Sequence, residues 1–559
     1  MPNSLRFLSV SMPVRLRHRT VMALTLGLSA CGGGDAPITP TTPAPASVAT
    51  VSVALTSASV TAGQAVQATA TTRASSGAEL SGRAIVWSSS NTAVATIGAT
   101  GLITTLAPGS TSITATSEGQ SGSATLLVMA EPVASLSLGA DSIDVAIRAT
   151  TQLVPVVRSA SGATLNGRTV TFASANTAIA TVSGDGVVRV LKPGTVTITA
   201  TSEGRSATLR VRGTTASLTA MVDSLRLAFG LPALGAAIVS REGLVGLGVA
   251  GTRRVTGGPS VTMQDKWHLG SNTKALTGVL AGLAVDAGVL TWTRTLDAGL
   301  PDLAPLMRPE YRTLSLPDLL SHVASLVNTT LGLPTSSDIP AARRAWAQYT
   351  LQQPPVGPRG QYAYSNNGYA LSGLLIERAW GTPYEALMQQ RLFTPLGITD
   401  AGWGPTTSAG MSDQPVGHRR VGAAWVVCDA CDNPPGLSSA GTVHMSLGSW
   451  ARLMQELLLA DQGRSALLTQ GTARFLTSNA VPAGGGASYG MGWGVGGGAT
   501  NRFVSHDGSN TTNHSRAVLF LDTGVAFLIA TNAAEIDGIT TTALTAMQQR
   551  LDRYWSTGR

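Results

Sequence analysis

Two periods of hydrophobic spacing divide the chain. Between about residues 49 and 213, apolar and polar positions alternate in short runs rich in Val, Thr and Ile, as in 110–116 and 195–201, with Gly, Asn and Pro turns between them. Side chains of a strand point alternately to its two faces, so this pattern predicts the half-buried strands of a β-sandwich. From Thr214 the spacing changes. Apolar residues recur with helical spacing over 217–229, and an Ala/Leu run predicts a buried helix over 273–289. Further helices are predicted over 368–380 and 449–459, and a strand pair over 234–251 turns at Arg241-Glu242-Gly243. Strands over 503–505, 517–521 and 525–531 precede a closing helix over 536–554. Two outer helices with an antiparallel sheet between them, plus an inserted helical region, make an α+β plan.

The β-rich part is an internal repeat. Leu80-Ser81-Gly82-Arg83 returns as Leu165-Asn166-Gly167-Arg168, and Asn91-Thr92-Ala93-Val94-Ala95-Thr96 as Asn176-Thr177-Ala178-Ile179-Ala180-Thr181. Pro108-Gly109 returns as Pro193-Gly194, and Ser117-Glu118-Gly119 as Ser202-Glu203-Gly204, at one constant, ungapped offset. Such an offset means two copies of one domain. Trp87 and Phe172 take matching positions and are expected to anchor the two cores. Each copy, 49–130 and 131–213, resembles the bacterial immunoglobulin-like group 2 domain of surface adhesins. The resemblance implies either a cell-wall or surface ligand for these domains or a stiff spacer.

Composition agrees with a folded, β-rich chain: 559 residues with 43% hydrophobic, 12% charged and 63 Gly. The net charge of +8 rests almost wholly on arginine, since the lysines are Lys192, Lys266 and Lys274. The arginines are scattered, without the aromatic-interleaved basic stripe of a nucleic-acid binder, so no nucleic-acid partner is expected.

The N-terminus changes the picture further. Arg15, Arg17 and Arg19 precede the short apolar core 21–28, and Leu28-Ser29-Ala30-Cys31 closes it. This predicts an export signal over 1–30, too short in its apolar part for a membrane span. The closing tetrapeptide resembles the lipobox of bacterial lipoproteins, which implies lipidation of Cys31 and a membrane partner through that anchor. An ordinary cleaved signal is the alternative. In lipoproteins Gly32 is compatible with outer-membrane sorting, so a cell-envelope location is expected. The Gly-, Pro- and Thr-rich segment 31–48 reads as a tether.

Candidate chemistry lies in the domain 214–559. Ser271-Asn272-Thr273-Lys274 opens the Ala/Leu helix, where orphan N–H groups favour developing negative charge. Lys274 lies one turn after Ser271, within reach of its hydroxyl, and a serine is a poor nucleophile until a neighbour takes its proton. Tyr364-Ser365-Asn366 supplies a phenol that acts as a base only if a cation lowers its pKa, and Lys274 is the cation at hand. Asn366 offers an amide to the lysine or to a substrate carbonyl. His506-Asp507-Gly508-Ser509 follows an apolar strand, and Gly508 lets a substrate backbone lie close. The N–H groups of Ser271 and Ser509 would form an oxyanion hole.

Together these motifs resemble the penicillin-recognising serine hydrolases, specifically the class C β-lactamase-like group, with Ser-x-x-Lys, Tyr-x-Asn and Lys/His-x-Gly in order over about 216–556. Leu319-Leu320-Ser321-His322, Ala440-Gly441 and Tyr489-Gly490-Met491-Gly492-Trp493 flank them. The resemblance implies catalysis by Ser271, Lys274 and Tyr364 through an acyl-enzyme, with no cofactor and no metal. Its substrate would be a small-molecule or peptide ester or amide.

Two departures bear on substrate. His506 stands where true class C β-lactamases carry lysine, and Asp507 where a small hydroxyl residue is usual, which would disfavour an anionic substrate. Arg516 could restore positive charge. The reading therefore leans to an esterase or peptidase. The alternatives are a DD-carboxypeptidase or β-lactamase and, from another class, a surface-adhesion protein with an inactive hydrolase domain. Leu320-Ser321-His322-Val323-Ala324-Ser325 also lacks the Thr-Ser-Gly common after that histidine. Cys428 and Cys431 are expected to form a small-loop disulfide, with a zinc site using His418 and His444 as the alternative.

Overall fold

The computed structural model describes residues 45–329, 336–429, 431–534 and 538–558. The expected signal over 1–30, Cys31 and most of the tether lie outside the described residues. The chain divides into two compact units, Met1–Glu131 and Pro132–Arg559.

The first unit is a sandwich. Thr50–Leu55, Ala65–Arg73, Leu102–Thr105 and Ala95–Ile97 form one sheet, and Ser59–Thr61, Gln120–Met129, Gly109–Ser117 and Val86–Ser89 the other. Ile103, Ile113 and Leu126 are fully buried between them, with Trp87 half-buried against that core. Their alternation with exposed Thr and Ser is the period-two pattern of the sequence. The second copy repeats the pairing of Gly194–Ser202 with Arg205–Thr214 and with Thr171–Ser174. Both copies close alike. Arg83 pairs with Glu118 at 2.7 Å while Glu118 accepts from Val48 N, and Arg168 pairs with Glu203 at 2.7 Å while Glu203 accepts from Val133 N.

The α+β part is built on a nine-stranded sheet. Its strands are β1 (Ala216–Ser217), β2 (Ala233–Ser240), β3 (Gly243–Gly251), β4 (Val481–Gly484), β5 (Ala487–Tyr489), β6 (Gly494–Gly496), β7 (Phe503–Ser509), β8 (His514–Phe520) and β9 (Val525–Thr531), in the spatial order β1-β3-β2-β9-β8-β7-β6-β5-β4. All pairs are antiparallel except β1 with β3. The helices that matter below are α1 (Thr219–Ala228), α2 (Thr273–Asp286), α3 (Ile339–Gln352), α4 (Asn366–Trp380), α5 (Leu447–Ala460) and α6 (Ile539–Thr557).

The sheet is buried on both faces, which explains why β9 reads as a continuous apolar run rather than an alternation. Val525, Phe527 and Ile529 enter the core under α1 and α6, while Ala526, Leu528 and Ala530 enter the core that α2 and α5 share. The expectation that the two outer helices enclose the sheet is corrected here. α1 and α6 lie together on one face, where Arg550 reaches Met221 O and Ser224 Oγ, and the helical region covers the other. The apolar stripe of each outer helix has a single hydrophobic face to bury, and burying both together forms one core.

That core is shared with the second sandwich. Ile147, Val188, Val190 and Val211 belong to the same hydrophobic cluster as Leu218, Val222, Phe527, Met547 and Leu551. Tyr554 OH donates to Ile147 O at 3.0 Å, and the Arg148 guanidinium stands 3.7 Å from the centre of the Trp555 ring.

Candidate active site

The nucleophile candidate sits in a tightly braced turn. A single 3-10 turn, Gly270–Asn272, links the strand Lys266–His268 to α2. Gly270 takes φ +51°, and a side chain there would meet Ser509 N. Asn272 Nδ2 donates to Ser515 Oγ at 2.8 Å, and Ser515 Oγ donates to Leu269 O at 2.8 Å, so β8 holds the turn from below. On the opposite side Gly270 N donates to His268 Nδ1 at 3.1 Å, and His268 Nε2 stands 2.8 Å from Asp432 Oδ1.

Two groups converge on Ser271 Oγ. Lys274 Nζ lies 3.0 Å from Ser271 Oγ, and Tyr364 OH donates to the same oxygen at 2.9 Å. Lys274 also donates to Asn366 Oδ1 at 2.7 Å and to Ala440 O at 2.8 Å. It is fully buried, and burial holds its pKa well below the usual lysine value. A neutral amine has two hydrogens and one lone pair. Asn366 Oδ1 and Ala440 O can only accept, so in that neutral form the two hydrogens go to them and the lone pair faces Ser271.

This reverses the expected division of labour between lysine and tyrosine. The sequence reading has a charged Lys274 lowering the pKa of Tyr364. Instead burial raises the phenol well above its usual value, against a smaller lowering from the Ser271 hydrogen bond. Burial thus disfavours the charged form of both groups, and Tyr364 OH donates to Ser271 Oγ.

The elements behind these groups explain their positions. Ser365 caps α4, its Oγ accepting from Gly368 N, which places Asn366 at the first turn beside Lys274. The preceding segment is tied to the loop 321–325: Ala363 N donates to His322 O at 2.8 Å and Ser365 N to His322 Nδ1 at 3.1 Å. Ser325 stands where the common pattern has glycine, yet keeps the left-handed φ of +57°. Its hydroxyl hydrogen-bonds to both Gly357 O and Gly357 N. Ala440 lies in the short helix Ser438–Gly441, which Arg343 of α3 ties through Ser438 Oγ; Arg343 is wholly buried and also binds Glu377 and Glu385.

β7 brings the third motif against the turn. A methyl on Gly508 would overlap Leu269 O and lie 2.8 Å from Ser271 N, so the backbones of 508–509 and 270–271 are in contact. That contact places Ser509 beside Ser271. Gly508→Ala is expected to push β7 off the turn and lower kcat by about 100-fold, since ~1 Å of misplacement costs that much. Steady-state kinetics beside a thermal melt would check this, and unchanged kcat would refute it. His506 is buried, and burial pushes its pKa down to about 4. The imidazole is neutral, with Nε2 2.9 Å from Tyr489 OH, so it does not replace a lysine's charge. Arg516 grips Asp507 with two hydrogen bonds of 2.7 Å. Asp507 keeps 42% of its side-chain surface exposed, and the partial desolvation of its carboxyl is outweighed by Arg516 and His514, which together hold it below the usual carboxylate range.

The cysteine pair is a disulfide, Cys428 to Cys431. Both ring nitrogens of His418 are engaged, Nδ1 with Asn532 O and Nε2 with Val255 N, and His444 Nδ1 meets Gly404 O. Among the described residues no group of three or more His, Cys, Asp or Glu is placed to hold a metal ion. Sequence reasoning missed His268 with Asp432, Arg343, and His322 as the tie to Tyr364. His268 and His322 stood in the flanks of the motifs, whereas Arg343 carried no local signal.

Residues 218–549 match the beta-lactamase family, and residues 47–128 and 132–211 match the bacterial Ig-like domain (group 2). Over 197 residues the chain is 24% identical to the D-alanyl-D-alanine-carboxypeptidase/endopeptidase AmpH of Escherichia coli (strain K12), covering 35% of this chain and 49% of that one. Over 178 residues it is 32% identical to penicillin-binding protein 4 of Amycolatopsis lactamdurans, covering 32% and 46%. The chain thus spans about half the length of these curated relatives. In fold it is similar to the octameric penicillin-binding protein homologue from Pyrococcus abyssi, with a TM-score of 0.50 and 18% identity over 60% of this chain and 76% of that one.

Proposed function

The chain belongs to the beta-lactamase family, and on that footing we propose that it is a serine hydrolase working through an acyl-enzyme on ester or amide substrates, esterase-like or peptidase-like in its preference. The observation that carries the reading is the convergence of Lys274 Nζ and Tyr364 OH on one oxygen, Ser271 Oγ.

In the first step Ser271 Oγ attacks the substrate carbonyl carbon while its proton passes to the lone pair of Lys274. The carbonyl oxygen becomes an oxyanion, stabilised by the N–H groups of Ser271 and Ser509. The tetrahedral adduct then expels the leaving group. That alcohol or amine takes a proton from Tyr364, which Lys274 restores. Water next enters the same place, gives its proton to the same pair and attacks the acyl carbon. The acid is released and the proton returns to Ser271 Oγ.

A base that must be neutral fixes the direction of the pH profile. Burial disfavours the charged amine, so activity should rise as pH climbs through a Lys274 pKa that lies well below 10.5, and fall as pH drops beneath it. Lys274→Arg, which stays cationic at every working pH, is expected to lose about 100- to 1,000-fold in kcat. A profile of kcat against pH for the native protein, with the arginine variant assayed at its plateau, checks both statements. An arginine variant as active as the native protein would remove Lys274 from the base role.

We also propose export to the cell envelope, with a lipid anchor at Cys31. Residues 15–31 support this, as does the Cys428–Cys431 disulfide, since such bonds persist in oxidising compartments. A second reading, hydrolysis of cell-wall D-alanyl peptides, draws on the relative named for that activity.

A further inference from the structure

β7 pairs with β6 only as far as Ser505, and residues 506–509 have no strand partner on that side among the described residues. A cavity of 520 Å³ opens there. Tyr364 lines it, so it begins one hydrogen bond away from Ser271 Oγ. The phenols of Tyr362 and Tyr489 and the ring of Phe503 form much of its wall.

Its charged lining, Asp507 and Arg516, is closed on itself. Arg516 Nε and Nη2 each donate to an Asp507 oxygen at 2.7 Å, and Nη1 donates to Thr545 Oγ1 at 2.7 Å. All three guanidinium nitrogens are therefore engaged within the protein. The remaining titratable neighbour on β7, His506, turns its Nε2 to Tyr489. A carboxylate entering this space would lose its water without meeting an uncommitted cation, and it would approach the oxygens of Asp507. A neutral ring would lie against phenol faces.

We propose that this cavity receives the leaving-group half of the substrate, accepts neutral aromatic or apolar groups, and excludes a carboxylate because Asp507 occupies Arg516. The assignment rests on the hydrolase reading above, in which Tyr364 hands a proton to the leaving group and so must face it. Arg516 is then a latent carboxylate site, and Asp507 is the residue that sets specificity.

The test uses the full chain and two esters of one acyl group, the phenyl ester and the 3-carboxyphenyl ester. The native protein is expected to prefer the phenyl ester by about 10-fold or more in kcat/KM. Asp507→Asn frees Arg516 and should move that ratio by about 10- to 100-fold toward the carboxylate-bearing ester, mainly through KM. Asp507→Ser should do the same and serves if the asparagine variant does not fold. Adding Arg516→Met to Asp507→Asn should abolish the gain. Equal use of both esters by the native protein, or a ratio untouched by both Asp507 substitutions, would overturn the assignment while leaving the hydrolase reading standing. Absence of any Ser271-dependent turnover of either ester would overturn both.

Discussion

Ser271→Ala is expected to lower turnover of short-chain p-nitrophenyl esters by about 10,000-fold or more, because the covalent step has no other nucleophile placed to take it. Among the described residues Ser271 Oγ is the one oxygen that both Lys274 and Tyr364 reach. The backbone of the turn should survive the change. It is held by Gly270 at φ +51°, by Asn272 on Ser515 and by His268 on Gly270 N, none of which involves the serine hydroxyl. The melting temperature should accordingly stay within a few degrees of the native value, with the loss confined to kcat. Intact-mass measurement gives a second readout: an acylating probe should add one adduct to the native protein and none to the variant. Turnover that persisted in the variant would place the nucleophile elsewhere. A native protein inert to every ester, D-alanyl peptide and β-lactam probe would favour the adhesion reading, in which only surface binding remains.

Removing the second sandwich is expected to damage the hydrolase part as well. A chain starting at 214 would expose the underside of α6 and of β9, where Ile147, Val188, Val190 and Val211 share a cluster with Phe527, Met547 and Leu551. It would also leave Tyr554 OH without Ile147 O and strip Arg148 from the face of Trp555. Several large side chains would return to water at about 1.5–3 kcal/mol each. The expected outcome is a loss of melting temperature on the order of 5–10 °C, with aggregation of the exposed face, against a chain starting at 132. Thermal melts and soluble yield of the two chains check this, and equal melting temperatures would show that the shared core contributes little. The chain starting at 132 is the right reference because a cut after residue 131 leaves the unit Pro132–Arg559 whole.

Much of the fold was legible because its signals are local. The repeat stood in the sequence residue by residue. β9 lies at the predicted 525–531, and the strand pair turning at Arg241-Glu242-Gly243 lies at Ala233–Ser240 and Gly243–Gly251. The helix expected over 273–289 ends at Asp286, and the one expected over 368–380 begins two residues earlier at Asn366, where the Ser365 cap starts it. Spacing of three residues on a helix also sufficed to put Lys274 beside Ser271.

What the sequence by itself determined is therefore the helices α1, α2, α4, α5 and α6, the strands β2, β3, β7, β8 and β9, the doubled sandwich and the order of Ser271, Lys274, Tyr364, Asn366, His506 and Gly508. Periodicity, capping and turn chemistry are properties of neighbouring residues, and a linear reading contains them. Only the tertiary structure decided the charge states and the partners. Lys274 is buried, with its amine held by Asn366 Oδ1 and Ala440 O and set near the ring of Tyr364, residues that lie far away along the chain. Asp507 is not a free negative charge because the register of β7 and β8 sets Arg516 directly opposite it. The outer helices share one face, and with it the core of the second sandwich, because an apolar stripe shows that a surface must be buried and not against what. Burial and pairing are distances between residues remote in sequence, and the fold alone supplies those distances.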